Sequence, residues 1–217
     1  MATKLDGPRR QPRSGTARSL VVLLHGYGAS GNDLIGLADE LGPVLPDTAF
    51  VSPHALEPMP FPGPPAFQWF ALSERDPEEY INGTRAAAPA LDTFLDAELA
   101  RLKLAPSRLA LVGFSQGTMM ALHVGLRRQA PPAAVVGLSG VIAGAQTLAA
   151  EIRCRPPVLL VHGAVDDVIP VGAIHLTCEA LASCGVSVEW HVREGLGHGI
   201  DPEGLAMAAS FLREHLR

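Results

Sequence analysis

The chain of 217 residues predicts an α/β fold, with a mainly parallel sheet and helices on both of its faces. Apolar runs such as Leu20-Val21-Val22-Leu23-Leu24 and Leu109-Ala110-Leu111-Val112 lack polar alternation, as strands buried on both faces do. Helical patterns fall between those runs, and such alternation favours parallel neighbours. Finally, Gly113-Phe114-Ser115-Gln116-Gly117 spells G-x-S-x-G at the junction of an apolar strand and a helical pattern that starts at Thr118.

Composition bounds the rest. Hydrophobic residues make up 47% of the chain, enough for a full core, and charged residues only 18%. The net charge is −5 and no basic block is long enough to track phosphates, which argues against nucleic-acid binding. The start of the chain has no apolar signal-like stretch, and no run approaches the length of a membrane span, so stable membrane insertion is not expected. Three cysteines, Cys154, Cys178 and Cys184, have no framework spacing; reduced thiols and a cytoplasmic location are expected. No cluster suggests a metal.

Residues 1–18 are rich in Pro, Arg and Gly and read as an N-terminal arm or edge segment; 19–217 read as one α/β domain. After the strand at 20–24, a helix is expected to about 41, capped by Ser30 or Asn32, and then a strand at 48–52. The proline-rich segment 54–70 reads as a long loop carrying Met59, Phe61, Phe67, Trp69 and Phe70. It admits three placements: along a groove, buried on itself, or in a homodimer contact. An amphipathic helix follows over 77–104, kinked or interrupted at Pro89, with Leu91, Phe94, Leu95, Leu99 and Leu102 at helical spacing. Beyond the central motif come strands at 134–138, 158–162 and 186–192, and helices at 171–183 and 202–216. The short interval between Gly140 and Val158 leaves no room for a cap domain.

The G-x-S-x-G context exposes Ser115 on a sharp strand-to-helix turn, as attack on an acyl carbon requires. A serine hydroxyl needs a base, the base needs an orienting acid, and with this motif the chain order is Ser, then Asp or Glu, then His. Of eight histidines, His25, His54 and His162 come too early. His123, His175 and His215 lie in helical patterns, and His191 alternates within a strand. His198 stands in Gly195-Leu196-Gly197-His198-Gly199, a loop after the last strand, where an open α/β sheet carries its site. For the acid, Asp166 and Asp167 occupy one turn after the strand ending at His162, and spacing leaves both open. The oxyanion donors are the Gln116 amide, next to the serine, and the Tyr27 amide in His25-Gly26-Tyr27-Gly28.

L-L-H-G-Y-G, G-F-S-Q-G, V-H-G-A-V-D-D-V-I-P and G-L-G-H-G-I together resemble the phospholipase/carboxylesterase family of α/β-hydrolases, which includes acyl-protein thioesterases and small bacterial carboxylesterases. The resemblance runs from about Leu20 to the C-terminus. It implies the α/β-hydrolase fold without a large cap domain, and a family pattern H-G-x-x-D-x-x-V-P whose aspartate falls on Asp166, with Ile169 in place of valine. Ala164 and Asp167 depart from residues common in the family. The resemblance implies a Ser115–His198–Asp166 triad, Tyr27 and Gln116 as oxyanion donors, and Phe67, Trp69 and Phe70 beside the substrate groove. The chain reads as a serine carboxylesterase acting on small-molecule esters, with no metal or organic cofactor. A groove walled by the one apolar, proline-stiffened loop ending at Trp69, with no lid, is expected to favour short to medium acyl chains. Acyl thioesterase and lysophospholipase activities use the same machinery. A non-hydrolytic ligand-binding homologue is the reading from another class.

Overall fold

The computed structural model describes residues 4–60 and 63–216. Phe61, singled out above, lies outside the described residues, as do residues 1–3 of the N-terminal segment and Arg217.

The sheet strands are β1 (Arg9–Arg10), β2 (Ser19–Leu24), β3 (Thr48–Val51), β6 (Leu109–Phe114), β7 (Ala134–Leu138), β8 (Val158–Gly163) and β9 (Val188–Arg193). Their spatial order is β1-β3-β2-β6-β7-β8-β9, parallel throughout except where Arg9 and Arg10 run antiparallel to Val51 and Phe50. Successive residues of β2 serve opposite cores. Leu20, Val22 and Leu24 join α3 (Pro77–Leu102), α4 (Gln116–Gly125) and α6 (Gly172–Ser183) through Leu95, Met120 and Leu181. Val21 and Leu23 face α1 (Gly31–Leu34), α2 (Leu37–Leu41) and α7 (Pro202–His215) through Leu34, Leu41 and Leu212. Burial on both faces is why β2, β3, β6, β7 and β8 carry no polar alternation, whereas the edge strand β9 is part-exposed and alternates Glu189, His191 and Arg193.

Three expectations change. The helix expected to 41 is two short helices, α1 and α2. The amides of Ala38 and Asp39 bond three residues back, to Ile35 and Gly36, and tighten the chain at a poor helix former. Ser30 is the cap: its amide and hydroxyl both donate to the Asp33 carboxylate, at 2.6 and 2.7 Å. Helix α3 is not interrupted at Pro89. Asp76 caps its start by accepting the Glu79 amide, Pro77 fits its first turn, and left-handed Lys103 ends it.

The third change concerns 54–70. Within it, β4 (Glu57–Met59) and β5 (Ala66–Gln68) pair antiparallel as a hairpin, with Glu57 opposite Gln68. Sequence pattern missed it because Pro58 lies inside one strand and both strands are only three residues long. One further short helix, α5 (Leu148–Glu151), precedes β8.

Candidate active site

The strand order reverses between β2 and β6, whose carboxyl ends lie side by side. Ligands of open α/β sheets bind at such switch points. Here the turn after β2 carries Tyr27, and the turn after β6 carries Ser115.

Ser115 has φ 55° and ψ −118°, a conformation non-glycine residues rarely adopt. Three backbone bonds hold it: its amide donates to Leu138 O at 2.9 Å, and its carbonyl accepts the amides of Thr118 at 2.9 Å and Met119 at 3.4 Å. The flanking glycines are required by close approach. A Cβ on Gly117 would lie 1.9 Å from the Leu24 carbonyl oxygen, and one on Gly113 would lie 2.2 Å from Gly117 O. Helix α4 therefore starts hard against the end of β2, and Gly26 lies against Phe114 and Ser115.

Three loops bring Ser115, His198 and Asp166 together. His198 Nε2 is 3.0 Å from Ser115 Oγ, and His198 Nδ1 is 2.8 Å from Asp166 Oδ2. Asp166 Oδ1 accepts the amides of Val168 and Ile169, at 2.9 and 2.8 Å. Burial raises the tendency of Asp166 to stay protonated, but the bonds from His198, Ile169 and Val168 outweigh it and hold the carboxyl below its ordinary range. Asp166 is thus an acceptor, so Nδ1 carries the ring proton and Nε2 offers a lone pair to the Ser115 hydroxyl. Asp167 is exposed. The histidine loop is pressed onto β8: a Cβ on Gly163 would lie 2.3 Å from the carbonyl oxygens of Leu196 and Gly197. Val165 N also donates to Leu196 O at 3.1 Å.

Neither the Tyr27 nor the Gln116 amide has an acceptor among the described residues. The turn that holds Tyr27 is braced by β5: Gly28 N donates to Phe67 O at 3.0 Å, and Phe67 N to Ala29 O at 2.8 Å. Gln116 locks the same hairpin to α4, its side chain accepting the Trp69 amide at 2.9 Å and donating to Phe70 O at 2.8 Å. Trp69 Nε1 donates to His25 O at 2.9 Å. His25 in turn accepts the Ala55 amide on Nε2 at 3.0 Å, so its Nδ1 carries the proton donated to Gly26 O at 2.8 Å. Burial pushes His25 down to about 4, in keeping with that neutral ring.

Trp69 and Phe70 were expected beside a groove. They are 3% and 4% exposed and belong to the core shared with α3, so they offer almost no surface to a ligand. Of the three aromatic candidates only Phe67 is part-exposed, with its ring stacked 5.0 Å from that of His54. Sequence reasoning also passed over His162. Its Nε2 donates to Ile169 O at 2.8 Å and lies 3.3 Å from Asp166 Oδ2, bracing the acid turn from beneath. The signal was there: a histidine at the carboxyl end of a buried strand, four residues before the acid.

A parallel sheet that carries serine, acid and histidine on loops at its carboxyl edge, in that chain order, defines an α/β-hydrolase. The sequence profile described as Phospholipase/Carboxylesterase matches residues 8–216, and the chain belongs to that family of ester hydrolases. A solved structure called esterase PE8 is 44% identical, covers 99% of this chain and 100% of its own, and superposes with a TM-score of 0.93. Zea mays acyl-protein thioesterase 2 is 28% identical over 97% of this chain and 98% of its own, with a TM-score of 0.79. Among curated relatives, esterase YpfH of Escherichia coli is 28% identical over 91% of this chain and 83% of its own length. Acyl-protein thioesterase 1 of Gibberella zeae is 25% identical over 94% of each.

Proposed function

We propose that this carboxylic ester hydrolase works through Ser115, His198 and Asp166 on small-molecule esters of short to medium acyl chain. Ser115 Oγ attacks the ester carbonyl while His198 Nε2 takes its proton. Asp166 stays ionised and steadies the imidazolium. The Tyr27 and Gln116 amides receive the oxyanion. The carbon–oxygen bond to the alcohol breaks, His198 protonates the departing oxygen, and a water then repeats the cycle on the acyl-enzyme. No step calls for a metal or organic cofactor.

One observation carries this reading: the continuous hydrogen-bonded relay from Ser115 Oγ through His198 to Asp166. Three free cysteines fit a reducing cytoplasm, the location we assign to it. The thioesterase names of two relatives favour acyl thioesters as a second substrate class. Initial rates on matched aryl esters, acyl thioesters and lysophospholipids of graded chain length decide between them. A serine-directed fluorophosphonate separates hydrolysis from ligand binding alone: it should label Ser115 with one equivalent and stop turnover. Labelling elsewhere with Ser115 untouched refutes the assignment.

A further inference from the structure

The end of β7 holds backbone from the Ser115 turn, from the loop of His198 and from strand β8. Leu138 O accepts the Ser115 amide at 2.9 Å and the Thr118 hydroxyl at 3.0 Å. The next residue, Ser139, donates its amide to Val161 O at 2.9 Å, on the strand that leads into the Asp166 turn. Its hydroxyl donates to Gly199 O at 3.0 Å, one residue beyond His198. Ser139 is 1% exposed and has φ 46°, a left-handed conformation that glycine would adopt without strain. A strained, buried serine at a hub of loops marks a constraint that the fold maintains against a local cost.

We propose that Ser139 is a positioning residue that sets the separation between Ser115 and His198. The inference rests on the proposed roles of Ser115, His198 and Asp166. Its logic is geometric. The histidine loop has glycines at 195, 197 and 199, so its own backbone restrains it little. Before His198 the loop is tied through Leu196, whose carbonyl accepts the Val165 amide. After His198 it is tied through Gly199, whose carbonyl accepts the Ser139 hydroxyl. That second tie leads to the strand end that also holds the Ser115 amide. Base and nucleophile are therefore registered against two adjacent residues, Leu138 and Ser139. Releasing one tie lets the imidazole drift, and a misplacement of about 1 Å costs roughly a hundredfold in rate.

Ser139→Gly tests this, because it removes the hydroxyl while relaxing the positive φ. Its thermal midpoint should be unchanged or raised. Its kcat should fall by about ten- to a hundredfold with KM unchanged, and the rate of fluorophosphonate labelling should fall by the same factor. A Ser139→Gly enzyme with the parental kcat overturns the proposal. So does a loss of kcat that only tracks a loss of folded protein. Ser115→Ala, measured alongside, keeps the two readings apart. If that variant still turns over, the relay itself is wrong. If it is inactive while Ser139→Gly runs at the parental rate, only the positioning role is wrong.

Discussion

Asp166 accepts the His198 Nδ1 proton on Oδ2 at 2.8 Å and keeps Oδ1 for two backbone amides of its own turn. The carboxylate is thereby fixed in rotation, and the histidine ring is fixed in tautomer. In Asp166→Asn the amides of Val168 and Ile169 retain the carbonyl oxygen, which turns the NH₂ toward His198. The ring then has to present a lone pair at Nδ1 and a proton at Nε2, the wrong way round for a base. We expect kcat to fall by about 10⁴-fold with little change in KM. Asp167→Asn, at an exposed neighbour, should stay near the parental rate. Steady-state kinetics on an aryl acetate measure both, and exchanged behaviour would reassign the acid to Asp167.

Ser115→Ala should fold with the parental thermal midpoint, because the three backbone bonds that hold residue 115 do not involve the hydroxyl. Turnover should drop by on the order of a thousandfold or more. Intact-mass analysis after fluorophosphonate treatment should show one adduct on the parent and none on the variant. An adduct on the variant would place the nucleophile elsewhere.

Trp69 is held from two sides: its amide donates to the Gln116 side chain and its Nε1 to His25 O. Trp69→Phe removes the Nε1 bond to His25 O and leaves a buried carbonyl unpaired, at a cost of about 1–3 kcal/mol in stability. The same turn carries the Tyr27 amide, so kcat should fall by a common factor for acetate, butyrate and octanoate esters. A change of chain-length preference in this variant, with the acetate rate preserved, would return Trp69 to the wall of the groove.

His25 and His123 should contribute to a loss of stability in acid. Burial pushes both down to about 4, and Arg127 adds to the effect at His123. An unfolded histidine titrates near about 6.5, so between roughly pH 6.5 and 4 the unfolded chain takes up protons that the folded protein refuses. The stabilisation is fully present above about pH 6.5 and is lost as the pH falls toward 4, by about 3 kcal/mol for each ring. Denaturant midpoints taken across that range should decline steadily. His123→Leu deletes one of the two rings together with a buried Nδ1 that has no partner among the described residues, and should make the decline shallower. An unchanged slope would contradict the assignment.

Much of this was legible in the chain because it depends on local pattern and chain order. The continuous apolar runs gave the strands, since burial on both faces removes polar alternation. The strand–G-x-S-x-G–helix context marked Ser115, and chain order left His198 as the base. The hairpin at 54–70 was not legible. Its strands are three residues long, one contains proline, and its pairing with the Gly26–Ala29 turn joins residues about 40 apart in the chain. His162 and Ser139 were passed over for a related reason: each acts through a backbone carbonyl, which no side-chain pattern reports.

By itself the sequence determined the fold class and pointed to Ser115 as the proposed nucleophile, His198 as the proposed base and a pair of candidate acids, because periodicity and residue order survive in one dimension. Only the tertiary structure decided which aspartate is buried against His198, whether Trp69 faces a ligand or the core, and what holds the loops of the relay in register. Those outcomes depend on hydrogen bonds and close approaches between segments far apart in the chain, set by how the β2, β6, β7 and β8 ends lie side by side.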